Sequence, residues 1–267
     1  MPTIARSKDG FRRYNHEGSR YYDVPAPSGD AMVDYKSVTS FLNILGKPAL
    51  YNWIAKENRD QAVNEAAEMY AALASTPPMS KTAFITSLTA RIGTERQDQR
   101  KLQKAGDIGT SVHKMVEWEL GKELGEDVGS CPELKGPEAE NAFGEWVKWR
   151  DEVELKPLYL ERTVYSHTYG YAGTMDCKAY VEGKLTLIDW KTGKAVYPEA
   201  RIQNAAYRVA DQECGEELAE QGMIVRLPKM AGQGFEVVTL DEDELAECFK
   251  AFRAVLFLDK WMEGVGK

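Results

Sequence analysis

The sequence predicts an α/β protein, with a central mixed, largely antiparallel β-sheet flanked by helices and a helical N-terminal lobe. Three observations carry this expectation. From Ser37 to Val153 apolar residues recur at helical spacing. From Leu158 the period shortens, and "LYLERTVYSH", "YAGTMDCKAYV" and "KLTLIDWK" follow one another as strands. After them a helix, a hairpin and a helix close the chain.

Residues 10–35, aromatic and turn-rich, read as an irregular hairpin. "SVTSFLNIL" starts a helix with Ser37 or Thr39 as its cap. Pro48 interrupts it, and "ALYNWIAKENRDQAVNEAAEMYAALA" reads as a longer helix stopped by Thr76-Pro77-Pro78. A further helix covers Lys81 to Ile92. The basic stretch Arg91, Arg96, Arg100, Lys101, Lys104 leads into a helix with Ile108, Val112, Met115, Val116 and Leu120 on its apolar side. A loop from Gly129 to Pro137 precedes "EAENAFGEWVKWRDEV", read as helix. "YPEARIQNAAYRVADQE" is the helix after the strands, "GMIVRL" and "FEVVTL" make the second hairpin, and Asp241 with Glu244 has capping-box spacing before the last helix. The expected division is a helical lobe with its basic segment over 1–104 and a core over 105–267.

The chain has 267 residues, of which 43% are hydrophobic and 28% charged, ordinary values for a globular protein. Cys131, Cys177, Cys214 and Cys248 form no C-x-x-C pair, which argues against a zinc ribbon or dithiol site and suits a reducing compartment. No apolar leader or membrane-length segment is present, so a cytoplasmic protein is expected. The net charge of −8 argues against general coating of nucleic acid but leaves room for a local basic groove.

The stretch "DCKAYVEGKLTLIDWKTGK" asks why an apolar strand ends on an acid and a lysine. With Glu182-Gly183 as a two-residue turn, counting outward brings Asp176 directly opposite Asp189. Like charges about 5 Å apart destabilise a strand pair, and a divalent cation between them would turn that penalty into a site. Lys191 shares the face of Asp189, while Trp190 points into the layer beneath. Such a lysine can hold a phosphate or offset developing charge.

His113 lies in a stripe with Gly106, Gly109 or Thr110, and Glu117. From the stripe alone the simpler reading is a histidine at a core boundary. Gln203 and Tyr207 form an i,i+4 pair on the helix after the acids, which alone reads as ordinary helix surface.

Taken together, "GTSVH" ending in His113, "GTMD" ending in Asp176, "IDWK" with Asp189 and Lys191, and "QNAAY" from Gln203 to Tyr207 resemble the PD-(D/E)XK nuclease superfamily, in particular its RecB-like branch with its phage-encoded exonucleases. The resemblance spans roughly residues 36–210 and implies a restriction-endonuclease-like core. It implies His113, Asp176 and Asp189 as ligands of Mg²⁺ or Mn²⁺, with the Trp190 carbonyl as a fourth contact. Lys191 would be the catalytic lysine, Gln203 and Tyr207 would position substrate or lysine, and Glu161 would support them. The scattered cysteines depart from relatives that carry an iron–sulfur cluster, so none is expected. The expected activity is metal-dependent DNA exonuclease, acting on single strands or free ends in viral replication, recombination or degradation, with the basic stretch Arg91 to Lys104 meeting phosphates. A separate chain would supply any helicase or recombinase. A structure-specific endonuclease and a non-cleaving DNA-binding accessory protein are the alternatives.

Overall fold

The computed structural model describes residues 4–73, 79–94 and 97–265. The stop at Thr76-Pro77-Pro78 and the basic residue Arg96 lie outside the described residues. The chain divides into two compact units, Met1–Leu45 with Ile108–Lys267, and Gly46–Asp107. This differs from a division at residue 104, because the first 45 residues belong with the core and not with a helical lobe.

The cause is a second sheet where an irregular hairpin was expected. Strands β1 (Ile4–Arg6), β2 (Arg12–His16), β3 (Ser19–Pro25) and β4 (Met32–Lys36) pair antiparallel in that order. Along β3 burial alternates, and Tyr22 and Val24 pack with Ala172 of the core, flanked by Phe11, Val33, Tyr35 and Tyr165. Two polar anchors fix the sheet. Asp9 accepts from the Thr163 amide at 2.7 Å and from its hydroxyl at 2.9 Å, and the Tyr22 hydroxyl lies 3.0 Å from Thr174 Oγ1. Helix α1 (Val38–Leu42) follows, its first turn capped by Ser37, whose hydroxyl accepts from the Ser40 amide at 3.1 Å.

The Gly46–Asp107 unit holds α2 (Pro48–Leu73), α3 (Lys81–Thr94) and the first part of α4 (Gln97–Glu123). Its basic stretch is partly neutralised. Arg91 pairs with Glu65 at 3.1 Å and lies 3.7 Å from Glu68, and Lys101 pairs with Glu57. The expectation that this stretch meets phosphates therefore loses two of its charges to acids of α2.

The larger unit continues with α5 (Pro137–Glu152), β5 (Leu155–Ser166), β6 (Tyr171–Val181), β7 (Lys184–Lys191), α6 (Pro198–Glu213), β8 (Gln221–Arg226), β9 (Glu236–Leu240) and α7 (Glu242–Val265). Its five-stranded sheet runs β5-β6-β7-β8-β9, antiparallel except for the parallel β7–β8 pair, which α6 joins by a crossover. This is the mixed sheet the sequence predicts. One face packs on α4 and α5 through Val112, Val116, Leu120, Ala142 and Trp146. The other packs on α1, α6 and α7 through Phe41, Ala206, Ala210 and Phe252. At α7 the Asp241 carboxylate accepts from the Glu244 amide at 2.9 Å and Glu244 reaches back to the Asp241 amide at 3.4 Å, closing the capping box. Among the described residues no helix is long and apolar enough to cross a membrane.

Candidate metal centre

The β6–β7 hairpin has the register its sequence predicts. Glu182 (φ 49°) and Gly183 (φ 77°) are both left-handed, as a two-residue type I′ turn requires, and pairing runs from Val181↔Lys184 to Cys177↔Ile188. The ladder ends there, one step short of Asp176 and Asp189. Beyond it the Trp190 amide donates to Asp176 Oδ2 at 2.9 Å. Strand β7 is held rigidly up to this point. Leu185 and Leu187 pack on the α6–α7 side, and Ile188 and Trp190 on the α4–α5 side. The Trp190 ring meets Trp149 at 5.7 Å and Trp146 at 6.4 Å, both edge to face, and each such contact adds about 1 kcal/mol beyond burial.

On the other side of β6 stands Glu161. Leu160 pairs with Cys177 and Arg162 with Met175, so Glu161 is opposite Asp176. Its φ of 48° is left-handed, a conformation that costs a non-glycine residue on the order of 1 kcal/mol or more. Alternation breaks here. Leu160 and Cys177 belong to the α4–α5 cluster, whereas Val164 and Met175 belong to the α6–α7 cluster. Both strands turn over across the Glu161–Asp176 pair, which brings the two carboxylates toward α4.

Helix α4 supplies His113, whose Nδ1 is 3.5 Å from Asp176 Oδ2. The close approach of this helix depends on Gly109, where an added Cβ would stand 3.0 Å from Thr192 Oγ1. Ligand atoms of His113, Glu161 and Asp176 all lie within 4.8 Å of one another, and all three residues are half-buried.

Asp189 belongs to a neighbouring polar network. Lys191 Nζ lies 2.6 Å from each of its oxygens and donates a hydrogen bond to Oδ1. Gln203 Nε2 is 3.3 Å from Asp189 Oδ1 and 3.3 Å from the Tyr207 hydroxyl. Tyr207 is buried against Gly173 of β6, where an added Cβ would be 2.3 Å from its ring. Asp189 Oδ2 is buried, and the Lys191 ammonium 2.6 Å away is its partner.

The electrostatics follow from this crowding. Burial, then Asp176 and Glu117, push the Glu161 carboxyl up to about 8, against the pull of Arg13 and Lys8. Burial pushes Asp189 up to about 6, with Lys191 opposing and Asp176 adding to the rise. Burial works to lower the Lys191 pKa, but Asp189 and Asp176 outweigh it and hold the ammonium above its ordinary value. The donor set is one imidazole nitrogen and two carboxylate oxygens within reach of one ion, with a third, buried acid paired to Lys191 beside them. That set fits a hard divalent cation such as Mg²⁺ or Mn²⁺, whose charge would offset the burial and the repulsion that raise Glu161 and Asp189.

The fold thus gathers His113, Asp176, Asp189, Lys191, Gln203 and Tyr207 into one region. Two features differ from the sequence reading. Glu161, read as a support, stands among the potential ligand atoms, and Asp189 spends its Oδ1 on Lys191 and Gln203. Trp190 contributes its amide to Asp176, and its side chain is core. The sequence reads Glu161 only as a support, since a left-handed glutamate inside a strand is set by its tertiary surroundings.

No family model matches the sequence. Over 120 residues the chain is 31% identical to the human mitochondrial genome maintenance exonuclease 1, an alignment that covers 39% of this chain and 32% of that protein. The chain thus spans about a third of the length of this curated relative. A solved structure of a candidate exonuclease from Eubacterium rectale aligns over 73% of this chain and 80% of its own, with 17% identity and a TM-score of 0.38, a likeness too loose to bear on function.

Proposed function

We propose that the protein is a divalent-metal-dependent nuclease that hydrolyses phosphodiester bonds in DNA from strand ends. The observation that carries the reading is the convergence of His113, Glu161 and Asp176 within 4.8 Å, beside a buried acid paired to a lysine. The partial match to a protein named as an exonuclease supports the reaction class and the preference for ends. The ordered motifs support placement in the RecB-like branch of the PD-(D/E)XK superfamily, with a phage-type role in replication, recombination or degradation, in a cytoplasm, and with any helicase on a separate chain.

In this reading His113, Glu161, Asp176 and Asp189 would hold the ion, with the Trp190 carbonyl as a further contact. When bound, the ion supplies a water of lowered pKa and polarises a phosphate oxygen. Lys191 shifts a hydrogen bond from Asp189 to a non-bridging phosphate oxygen, where its charge offsets the charge developing there. Gln203 fixes the Asp189 carboxylate while Lys191 turns, and the buried Tyr207 fixes Gln203. Both are positioning residues. The Trp146–Trp190–Trp149 contacts keep the strand end from following the lysine.

End-labelled single-stranded, duplex and circular DNA incubated with Mg²⁺ or Mn²⁺ tests this, alongside Asp189→Ala and Lys191→Ala. Metal-dependent release of nucleotides from linear DNA, lost in both variants, is expected. Cleaved circles would replace the exonuclease by an endonuclease on the same residues. Absence of metal-dependent cleavage on every substrate would overturn the nuclease reading.

A further inference from the structure

We propose that the N-terminal sheet is part of the nucleic-acid site: Arg13 and Arg20, side by side on its inward face, bind consecutive backbone phosphates of the strand that enters the metal centre. The inference rests on the nuclease reading and adds a binding site to it.

Strand register places the two arginines. Arg13 is opposite Tyr22 and Asn15 is opposite Arg20, so these four side chains share one face of β2 and β3. That face is the inward one, because Tyr22 is buried there with Val24 against Ala172. Arg13 and Arg20 are diagonal neighbours across the ladder, roughly 7–8 Å apart at the backbone. That separation is comparable to the step between successive phosphates of an extended strand.

The anchors of the sheet aim this face at the candidate centre. Tyr22, across from Arg13, is held at Thr174, two residues before Asp176. Asp9, just before β2, is held at Thr163, two residues after Glu161. The charges register accordingly, since Arg13 acts on Glu161 and Arg20 on Tyr207.

Several cations of the unit are already matched by acids. Lys8, Lys36, Arg150, Arg162, Lys178 and Arg226 are each within ion-pair distance of a carboxylate. Among the described residues, the Arg13 and Arg20 side chains have no ion pair and no hydrogen bond; Arg20 uses only its backbone, its amide donating to Ser40 and its carbonyl accepting from Ser37. In a chain of net charge −8, two unpaired guanidiniums beside a cluster of acids are suited to a polyanion brought to that cluster. Guanidinium is also the side chain best matched to phosphate geometry.

The test measures binding of a short single strand with Ca²⁺ in place of Mg²⁺, as a function of salt, and steady-state cleavage with Mg²⁺. Arg13→Ala and Arg20→Ala are compared with Arg12→Ala, whose residue lies on the opposite face over the Tyr14 ring. Each inward variant is expected to lower the salt slope by about 0.7, and the double variant by about twice that. KM is expected to rise about tenfold with kcat within about twofold, and lysine at either position to restore part of the loss. A single uncharged methylphosphonate walked along the strand should weaken wild-type binding at one position and leave the matching arginine variant indifferent there. Unchanged slopes and KM in both inward variants, with wild type still cleaving, would overturn the phosphate site and leave the nuclease reading intact. Intact salt-dependent binding without cleavage would overturn the nuclease reading, with the slopes still deciding the arginines. Failure of wild type to bind any strand would overturn both.

Discussion

Glu161 of β5 stands directly across from Asp176 of β6, in a left-handed conformation, at the point where both strands exchange faces. Two half-buried acids at one step of a ladder repel each other, and the backbone of one is strained to put them there. Replacing Glu161 by glutamine keeps the shape of the protonated acid and removes the cost of taking up that proton on folding. In the metal-free protein Glu161→Gln should therefore raise the melting temperature by a few degrees, roughly the effect of 1 kcal/mol. The same change should weaken Mn²⁺ binding by about 10–100-fold, measured by titration calorimetry. A variant that loses stability and keeps its metal affinity would remove Glu161 from the ligand set.

The same pair sets a pH dependence. In the metal-free fold burial and Asp176 raise the Glu161 carboxyl from an ordinary 4.5 to about 8, so the folded state holds a proton that the unfolded chain releases. Stability from this group is complete below about 4.5 and is lost as pH rises through about 8. A bound cation must displace that proton. Metal affinity should therefore climb about tenfold per pH unit up to near 8 and then level off. Below about 6, where Asp189 also takes up a proton, the climb should be steeper. Mn²⁺ titrations at five pH values check this, and a flat profile would contradict it.

Parts of this arrangement are legible in the sequence because they are local. The hairpin register follows from Glu182-Gly183 between alternating strands, the start of α7 from Asp241 and Glu244, and that of α1 from Ser37. What is not legible depends on distant partners. The N-terminal sheet looks like a turn-rich hairpin because its apolar face is short, and Tyr22 and Val24 become core only against Ala172. The charges of Arg91 and Lys101 read as a phosphate-binding stretch because a sequence does not reveal that Glu65 and Glu57 meet them. Glu161 reads only as a support because the fold, and not the residue, imposes the φ that brings it among the ligand atoms.

Lys191 and Asp189 form a pair whose members should respond differently. Lys191→Ala leaves the candidate ligands in place and frees Asp189 Oδ2, with Gln203 still on Oδ1, so Mn²⁺ affinity should hold or rise. Turnover should fall about 10²–10³-fold, the usual loss for one transition-state donor. Asp189→Ala should lower both affinity and turnover. Single-turnover cleavage beside calorimetry separates the two, and equal loss of metal by both variants would sink the division of roles.

Tyr207 reaches the site only because β6 has no side chain at Gly173. Alanine there would put a Cβ 2.3 Å from the tyrosine ring, and one of the two elements has to move. Gly173→Ala should cost roughly 1–3 kcal/mol and lower the denaturant midpoint accordingly. Adding Tyr207→Leu should recover stability without recovering full cleavage, because the Gln203 hydrogen bond is not restored. Recovery of both would make Tyr207 a packing residue alone.

Behind the site, Lys178 and Asp211 tie β6 to α6, the helix that carries Gln203 and Tyr207. Each side chain is 1% exposed, their atoms are 2.6 Å apart, and the ammonium also donates to the Glu217 carbonyl at 2.6 Å. Burial holds the Asp211 carboxyl above its ordinary value even with Lys178 beside it, so the acid depends on its partner to remain charged. Lys178→Met removes the cation, keeps most of the volume and strands the acid, which should cost about 3–5 kcal/mol. Lys178→Met with Asp211→Leu removes both charges and should return most of that stability. Urea unfolding measures both variants. If the pair serves mainly to hold α6 against the sheet, the double variant should also keep metal affinity, while the single variant loses it in proportion to its unfolded fraction. A double variant as unstable as the single one would show that the pair contributes net stability instead of merely neutralising itself.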